Sequence, residues 1–213
     1  MDLSFIPESL PLLLKGAVMT LKITVIAGSI GLVLGTLIGL ARSFGIRWLN
    51  ALISVYVEVI RGTPLYTQLL IIAYGIPSVT QLNYDVFTAG LITIGVNSSA
   101  YVAEIMRAGI QSIDKGQMEA ARSLGMPHGQ AMVTVILPQA VRRVIPPLLN
   151  EVITLIKESS LVAVIAVVEL SRTAQLIGSR TYKPFPYLVM AALIYLAMTL
   201  TLSRVTALLE RRM

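Results

Sequence analysis

Cysteine is absent from the 213 residues of the chain, and charged side chains are scarce. Without cysteine there is no disulfide framework, no thiolate nucleophile and no Cys-ligated zinc or iron–sulfur site. Lysine, arginine, aspartate and glutamate together make up 13% of the residues, whereas soluble domains carry about 25%. Hydrophobic residues make up 55%, which is more apolar side chain than a core of this size can bury. These proportions exclude an ordinary water-soluble globule and predict a membrane protein.

The sequence also lacks the residues that bind nucleotides and metals. No segment matches G-x-x-x-x-G-K-[ST], the loop that cradles phosphates, so the chain itself is not expected to bind ATP. His128 is the only histidine and has no carboxylate or histidine near it at a metal-ligand spacing. The net charge of +6 comes from cations scattered between apolar runs, with no basic face for nucleic acid. We therefore predict no cofactor, no metal site, no nucleic-acid partner and no catalytic residue.

Long apolar runs are what the sequence does contain. A helix rises 1.5 Å per residue, so about 20 mostly apolar residues cross a hydrocarbon core of about 30 Å. Residues 123–141 contain no Lys, Arg, Asp or Glu and are followed by Arg142 and Arg143, but Pro127 and Pro138 argue against a sixth span there. The sequence predicts an all-α polytopic membrane protein with five transmembrane helices, at about residues 17–41, 52–76, 86–106, 144–168 and 185–206.

The cations predict an orientation, because cytoplasmic loops carry an excess of lysine and arginine. With the loop 107–143 inside, the other inside cations are Arg42, Arg47, Arg204, Arg211 and Arg212. We therefore expect the amino terminus to be outside and the carboxyl terminus to be in the cytoplasm. One outside cluster departs from this rule and is interpreted as an exception or as a docking surface for a partner: Arg172, Arg180 and Lys183.

The loop 107–143 between the third and fourth spans is long enough to hold structure of its own. Asp114 is a typical helix N-cap, Gly125 suits the left-handed residue after a helix end, and Pro127 prevents continuation. These signals predict a short cytoplasmic helix over residues 117–124. Two alanines in its middle favour insertion into a groove on a second protein. The alternative is an amphipathic helix that packs under the bundle.

Small residues repeat every four positions on the first span. Gly31, Gly35 and Gly39 have the small-xxx-small spacing that lets two helices approach closely. The stripe therefore predicts a close helix contact, either within the subunit or between two copies of the chain.

Ionisable residues stand near the middle of two predicted spans, where a charge costs about 2.5 to 3.5 kcal/mol. Span two contains Glu58 and Arg61, and span four contains Lys157 and Glu158, with Glu151 two turns earlier on the same face. A zwitterionic amino acid needs groups of both signs, which these residues supply. The structural alternative is a set of salt bridges, Arg61 with Glu158 or Glu58 with Lys157.

The segment Gly62-Thr63-Pro64 is expected to loosen span two near mid-membrane, because proline removes a backbone hydrogen bond and glycine lowers helix stability. Broken helices at this depth commonly expose backbone groups to a substrate. The midpoint of span three is polar as well. The candidate substrate-binding residues are Glu58, Arg61, Gly62, Thr63, Thr93, Asn97, Ser98, Lys157 and Glu158. Contact between the carboxylates and the substrate side chain would require a cationic amino acid.

The loop also carries a recognisable motif. Glu119-Ala120-Ala121 is followed by Gly125 and, nine residues later, by Val135-Ile136-Leu137-Pro138. This pattern resembles the EAA loop of the permease subunits of prokaryotic ABC importers. The segments Arg61-Gly62-Thr63-Pro64 and Lys157-Glu158-Ser159-Ser160-Leu161 are similar to the polar amino-acid branch of that family, the histidine, glutamine and arginine type.

The resemblance implies that residues 1–213 form a single transmembrane domain in the prokaryotic cell (inner) membrane, which imports polar amino acids by alternating access. In that family the short helix docks into a separate ATPase subunit and couples ATP hydrolysis to transport. The matching residues here are Gln117, Glu119, Ala120, Ala121, Arg122, Leu124 and Gly125. The implied partners are two copies of an ABC ATPase subunit, a second permease subunit that is identical or homologous, and an external amino-acid-binding protein.

Two other classes of protein are considered. An ion-coupled secondary transporter would use Glu58, Glu151 or Glu158 as proton sites, but it leaves the EAA loop unexplained. An intramembrane hydrolase would need a nucleophile and a base at a sensible spacing, and no such pair is visible in the sequence. The preferred hypothesis is therefore a transport subunit that catalyses no covalent chemistry.

Overall fold

The fold is built from helices. The computed structural model describes residues 5–43 and 46–210, and no strand occurs within them. The α-helices are α1 (Phe5–Ser43), α2 (Arg47–Gly62), α3 (Leu65–Leu70), α4 (Ile76–Thr80), α5 (Val86–Gln111), α6 (Lys115–Ser123), α7 (His128–Ala131), α8 (Leu137–Glu158), α9 (Leu170–Thr181) and α10 (Pro184–Glu210). The all-α prediction is confirmed. Arg211 and Arg212, which the orientation prediction counts, lie outside the described residues.

Three helices in the described part of the chain are long and apolar enough to cross a membrane: α1 over Glu8–Arg42, α5, and α10 over Pro184–Leu209. The second predicted span is divided into α2 and a shorter apolar stretch, Leu65–Thr80. The fourth lies in α8 and the 3-10 segment that follows it, Ser159–Ile165. The number of five spans therefore stays a prediction, because only three helices of the described residues are long and apolar enough to be identified as spans.

Two π-helical turns stand just before a proline. Ile71–Gly75 precedes Pro77, and Met132–Ile136 precedes Pro138. Proline has no N–H to donate and its ring collides with the carbonyl four residues earlier, so the helix widens locally instead of ending. The helix that starts at His128 thus continues through its π turn into α8 and begins well before the predicted boundary of the fourth span.

The glycine stripe of α1 packs against α5 within the subunit. A Cβ added at Gly35 would lie 2.5 Å from the Cβ of Val102, and one added at Gly39 would lie 2.5 Å from the Cβ of Met106. Real Cβ atoms do not approach so closely, so only glycine permits this helix separation. Of the two predicted alternatives, the contact within the subunit is the one observed.

The two ends of α1 contact different elements. Near its start, Gly16 packs against Leu170 and Thr173 of α9, and near its end Gly39 packs against Met106 of α5. The two glycines are about 23 residues or roughly 35 Å apart, close to the thickness of the bilayer hydrocarbon. The end of α5 that leads to α6 is therefore at the opposite end of the bundle from α9. The cation cluster that is predicted to lie outside belongs to the α9 end: Arg172, Arg180 and Lys183.

A buried carboxylate fixes α9 in place. Glu169, which is fully buried, caps α9 by accepting hydrogen bonds from the amides of Ser171 at 2.9 Å and Arg172 at 2.8 Å. The hydroxyl groups of Tyr195, at 2.5 Å, and Thr20, at 3.3 Å, donate to the same carboxylate. Because these partners belong to α10 and α1, one side chain joins three helices and satisfies the hydrogen-bonding needs of a buried charge.

Candidate functional site

The predicted cytoplasmic helix is present as α6, over Lys115–Ser123. Its first turn is capped by Asp114, whose carboxylate accepts a hydrogen bond from the amide of Gly116 at 2.7 Å. Its end is a Schellman motif, in which the amides of Gly125 and Met126 donate to carbonyls of the last turn at 3.0 and 3.2 Å. Gly125 has a φ of +82°, as the sequence predicted for the residue after the helix. The helix begins two residues before the predicted start and ends one residue before the predicted end.

One side of α6 packs against the protein and the other side is exposed. Ala121 is 4% exposed, and Met118 of the same helix packs against a small apolar cluster of Ile113, Ile136 and Ala140. The other predicted coupling residues are exposed, namely Gln117, Glu119, Ala120, Arg122, Leu124 and Gly125. Leu124 stands out among them because 81% of its surface is open, although its side chain is apolar. The exposed side therefore presents a small-residue surface with a projecting leucine beside it.

The helix break between α2 and α3 is bridged by Gln68, a residue that the sequence analysis did not select. Its amide nitrogen donates to the carbonyl of Ile60 at 2.7 Å and to the hydroxyl of Thr63 at 2.8 Å. Its amide oxygen accepts a hydrogen bond from Asn97 of α5 at 3.0 Å. Thr63 and Asn97, both predicted site residues, are therefore joined through a third side chain. A lone polar residue one turn after Pro64 was the available signal.

Gly62, at the same break, has open space where a side chain would be. Thr63 and Pro64 adopt extended backbone conformations, so the α-helical hydrogen bonds of α2 are not continued into α3. The predicted loosening of span two at Gly62-Thr63-Pro64 is confirmed.

Ser98 lies next to Asn97 in sequence but contacts a different partner. Its hydroxyl donates to the carboxylate of Glu151 on α8 at 2.9 Å. Both residues line a cavity of about 410 Å³ between α1, α5 and α8. Glu151 is the only ionisable residue among those that line this cavity; the others are apolar, or are Thr24, Ser29 and Ser98.

Thr93 is separated from these groups. Its side chain is fully buried, and its hydroxyl donates to the carbonyl of Ala89 on the same helix at 2.7 Å. The two predicted residues of span four, Lys157 and Glu158, are the last residues of α8, with Lys157 exposed and Glu158 half-buried. The pair therefore marks a change from α-helix to 3-10 helix and not the middle of a continuous helix.

The ion pairs differ from those proposed as the structural alternative. Among the described residues, Arg61 pairs with Glu104 at 3.9 Å and not with Glu158, and Glu58 has no ion pair with Lys157. Glu104 also pairs with Arg42 at 3.6 Å and accepts a hydrogen bond from the Nε of Arg107 at 2.9 Å. The predicted pairs fail because Lys157 and Glu158 end α8, whereas Arg61 extends toward the last third of α5.

This arginine cluster borders a second cavity of about 470 Å³. Its lining residues are Arg42, Ser54, Val57, Glu58, Arg61, Gly62, Glu104 and Arg107. Three predicted site residues, Glu58, Arg61 and Gly62, thus line one cavity, and Ser98 lines the other. The structure therefore divides the single predicted polar core into separate groups of side chains.

Comparisons with known proteins identify the family of the chain. The family model described as binding-protein-dependent transport system inner membrane component matches residues 31–213. The chain is 44% identical over 213 residues to the glutamine transport system permease protein GlnP of Escherichia coli (strain K12), and 40% identical over 213 residues to the arginine transport system permease protein ArtQ of Bacillus subtilis (strain 168). Both matches cover 100% of this chain and 97% of the relative.

Two solved structures show the same fold. A crystal structure of an amino acid ABC transporter with histidines superposes with a TM-score of 0.96 at 47% identity, covering 100% of this chain and 99% of that one. An inward-facing structure of the MetNI methionine ABC transporter superposes with a TM-score of 0.76 at 17% identity, again covering 100% and 99%. The second likeness concerns the fold alone.

Proposed function

The chain belongs to the family of inner membrane components of binding-protein-dependent transport systems, and we propose that it forms the pathway by which an ABC importer carries cationic amino acids. It is a permease subunit of an amino-acid ABC importer, as its relatives and its structural neighbour are. An ion-coupled secondary transporter is not favoured. The finer proposals concern the substrate, the coupling helix, the partners and the orientation.

The substrate proposal is carried by the cavity that contains Glu151. A carboxylate offers about four lone-pair sites, and the hydrogen bond from Ser98 uses one of them. A partly buried carboxylate among apolar walls needs a cation or further donors, which a guanidinium or ammonium side chain supplies. The cavity of about 410 Å³ falls within the range of small-molecule pockets, about 300 to 1,000 Å³. One relative is named as an arginine transport permease, which supports the same choice.

The coupling proposal rests on α6. Its two caps fix its length, and its buried side, with Met118 and Ala121, fixes its orientation against the rest of the chain. The exposed side, with Ala120 and Leu124, has the shape that a groove on an ATPase subunit would accept. A helix that only packed under the bundle would be expected to bury its large apolar residue, whereas Leu124 is open.

Alternating access requires a segment that changes shape, and the break at Thr63-Pro64 supplies one. Gln68 holds the break in the described conformation through hydrogen bonds to Ile60 and Thr63. The hydrogen bond from Asn97 connects this break to α5. A substrate that competes for the Gln68 amide would therefore alter the angle between α2 and α3.

An ABC permease works with an ABC ATPase and a second permease subunit. We infer two ATPase copies, hydrolysis of ATP by that partner alone, and delivery of substrate by an external binding protein. In the inner membrane, the α6 end of the bundle faces the cytoplasm and the α9 end faces outward, so the amino terminus is outside. The outside cations of the α9 end are then available to an acidic partner.

The deciding experiment is ATP-driven uptake by the full complex, with ATPase subunits and binding protein, in proteoliposomes. We expect uptake of labelled L-arginine that stops without ATP and persists when the proton gradient is collapsed. Glu151→Gln should raise the KM for arginine at least tenfold, because the cation loses its carboxylate, while ATPase subunits still assemble. Glu8→Gln is the matched control, since Glu8 is exposed in the first turn of α1 and lines neither cavity.

Each outcome has a separate meaning. An unchanged KM in Glu151→Gln would exclude Glu151 as the cation site. Transport of L-glutamine but not L-arginine by the unaltered complex would overturn the cationic substrate and leave the importer assignment intact. Uptake driven by a proton gradient without ATP would overturn the coupling proposal.

A further inference from the structure

The arginine cluster around Glu104 carries more positive charge than its one carboxylate balances. Arg42 comes from the end of α1, Arg61 from the end of α2, and Arg107 from α5, and all three converge on Glu104. Three guanidinium groups have about fifteen N–H donors, whereas a carboxylate accepts about four hydrogen bonds. Donors for another anion are therefore left over on the wall of the 470 Å³ cavity.

The three arginines are not held equally. Arg107 is bound firmly, since it hydrogen-bonds both oxygens of Glu104 and the side chain of Gln111. Arg42 divides its donors between Glu104 and the hydroxyl of Ser54, at 3.0 Å. Arg61 has one contact with Glu104, at 3.9 Å, and its side chain is 39% exposed. Arg61 is thus the cation that can turn to a new partner at the lowest cost.

The position of Arg61 is nevertheless defined. Its guanidinium lies 5.1 Å from the centre of the Tyr101 ring, within the range of a cation–π contact. Gly62, the next residue, adds no side chain and has open space beside it. A ligand can therefore approach Arg61 from the cavity without displacing a side chain.

The same cavity also offers groups that accept hydrogen bonds from a cation. Glu58 stands one turn before Arg61 and lines the cavity, and no ion pair neutralises it among the described residues. Beyond the arginines, a cavity of about 190 Å³ shares Arg42 and Arg107 as walls and also includes Asn50. The side-chain oxygen of Asn50 is buried and has no hydrogen-bond donor. An arginine and a carboxylate facing one space match the two charges of an amino acid.

We propose that the cavity lined by Glu58, Arg61 and Glu104 is a second amino-acid site, in which Arg61 binds the carboxylate and Glu58 binds the ammonium group of an α-amino acid. The site lies at the α6 end of the bundle, more than a helical turn closer to the ATPase-coupling loop than Ser98. The site recognises the ammonium and carboxylate groups that all α-amino acids share, and it does not recognise the side chain. The inference rests on the proposed function only for the class of ligand, an amino acid. The two sites are otherwise independent, because the Glu151 cavity is proposed to bind the side chain of the amino acid.

Binding at this site changes the ion pairs next to the coupling loop. An amino-acid carboxylate competes with Glu104 for Arg61, so an occupied site lacks the Arg61–Glu104 ion pair between α2 and α5. Amino acid that accumulates on the cytoplasmic side would thereby act on the same helices that α6 moves.

The test is a titration of the assembled permease–ATPase complex in lipid nanodiscs, without binding protein, using three probes. L-Arginine has the cationic side chain and the carboxylate, L-glutamine has the carboxylate and a neutral side chain, and agmatine has the guanidinium side chain without the carboxylate. We expect L-glutamine to bind one class of sites, and Arg61→Gln to weaken that binding at least tenfold. Agmatine binding should be unaffected by Arg61→Gln. Arg142→Gln is the matched control, because Arg142 is exposed and lines none of the cavities described above.

A second variant separates binding from damage to the fold. Glu104→Gln removes the carboxylate that competes for Arg61 and should tighten L-glutamine binding several-fold, which destabilisation cannot do. Unchanged L-glutamine binding in Arg61→Gln would overturn the second site, as would inorganic phosphate competing as strongly as L-glutamine. Agmatine binding to Glu151→Gln tests the proposed function and does not involve the second site. Failure of the proposed function and failure of the second site are therefore distinguishable.

Discussion

Replacing Gly125 by alanine should loosen the end of α6 without disturbing the bundle. Gly125 has a φ of +82°, and an added Cβ would have no atom within 4 Å. The substitution therefore creates no collision, and its whole effect comes from the backbone conformation. A residue with a Cβ pays about 1 to 2 kcal/mol in the left-handed region.

That cost falls on the Schellman motif, in which the amides of Gly125 and Met126 satisfy the last carbonyls of α6. A loss of 1 to 2 kcal/mol corresponds to roughly a 5- to 30-fold rise in the open population of the segment. Asparagine tolerates the left-handed region better than alanine, so the open population in Gly125→Asn should lie between those of the unaltered protein and Gly125→Ala. The ATPase activity of the assembled complex should then lose most of its dependence on substrate, because α6 transmits the movement.

The assay is hydrogen exchange of the α6 amides together with coupled ATPase and uptake rates. Gly129→Ala is the matched control, since Gly129 also has open space around an added Cβ but lies within α7 with no positive φ. Alanine there should be neutral or slightly stabilising. Equal exchange in Gly125→Ala and Gly129→Ala would refute the backbone argument. Faster exchange with intact coupling would refute the role of α6.

Two further predictions concern the bundle. Gly35→Ala should lower the thermal unfolding midpoint of the solubilised protein, because the added Cβ would lie 2.5 Å from the Cβ of Val102. Gly62→Ala is the control and should leave the midpoint unchanged, because its added Cβ meets no atom within 4 Å. Equal midpoints for the two variants would contradict the close α1–α5 contact. Asp85 caps α5 and accepts hydrogen bonds from Thr88, which lower the pKa of Asp85 below its usual value of 3.8. Because the folded pKa is the lower one, the cap is fully effective above about pH 4 and is lost as the pH falls through the folded value. Amide protection at Thr88 should follow this change and become independent of pH in Asp85→Asn.

Local signals predicted the coupling helix well. Asp114, Gly125 and Pro127 each act through the backbone of one or two neighbours, so their effect is visible in sequence. The loosening at Gly62-Thr63-Pro64 was predictable for the same reason. Hydropathy also identified the long apolar helices correctly, although prolines that widen a helix into a π turn shifted the boundaries of α8.

The partners of the charged residues were not predictable. A charge in a span must be compensated, but sequence does not say which helix supplies the compensating group. Glu104 was not selected as a candidate site residue from the sequence, yet it pairs with three arginines from three helices. Gln68 was missed because a single glutamine in an apolar run has no periodic signal, and its role depends on Asn97 being opposite.

The glycine contact between α1 and α5 has a consequence for how the subunit moves. Because the side chains of Val102 and Met106 pack directly against the glycines of α1, the two helices cannot slide or rotate against each other without collision. The α1–α5 pair is therefore expected to move as one rigid unit. The conformational change is then expected in the helices attached to this pair. Two interruptions of helical backbone separate those parts: the extended residues Thr63 and Pro64, and Ala166, whose φ of +65° ends the 3-10 segment before α9. We therefore expect each transport cycle to rotate the attached helices about these two interruptions while α1 and α5 keep their relative positions.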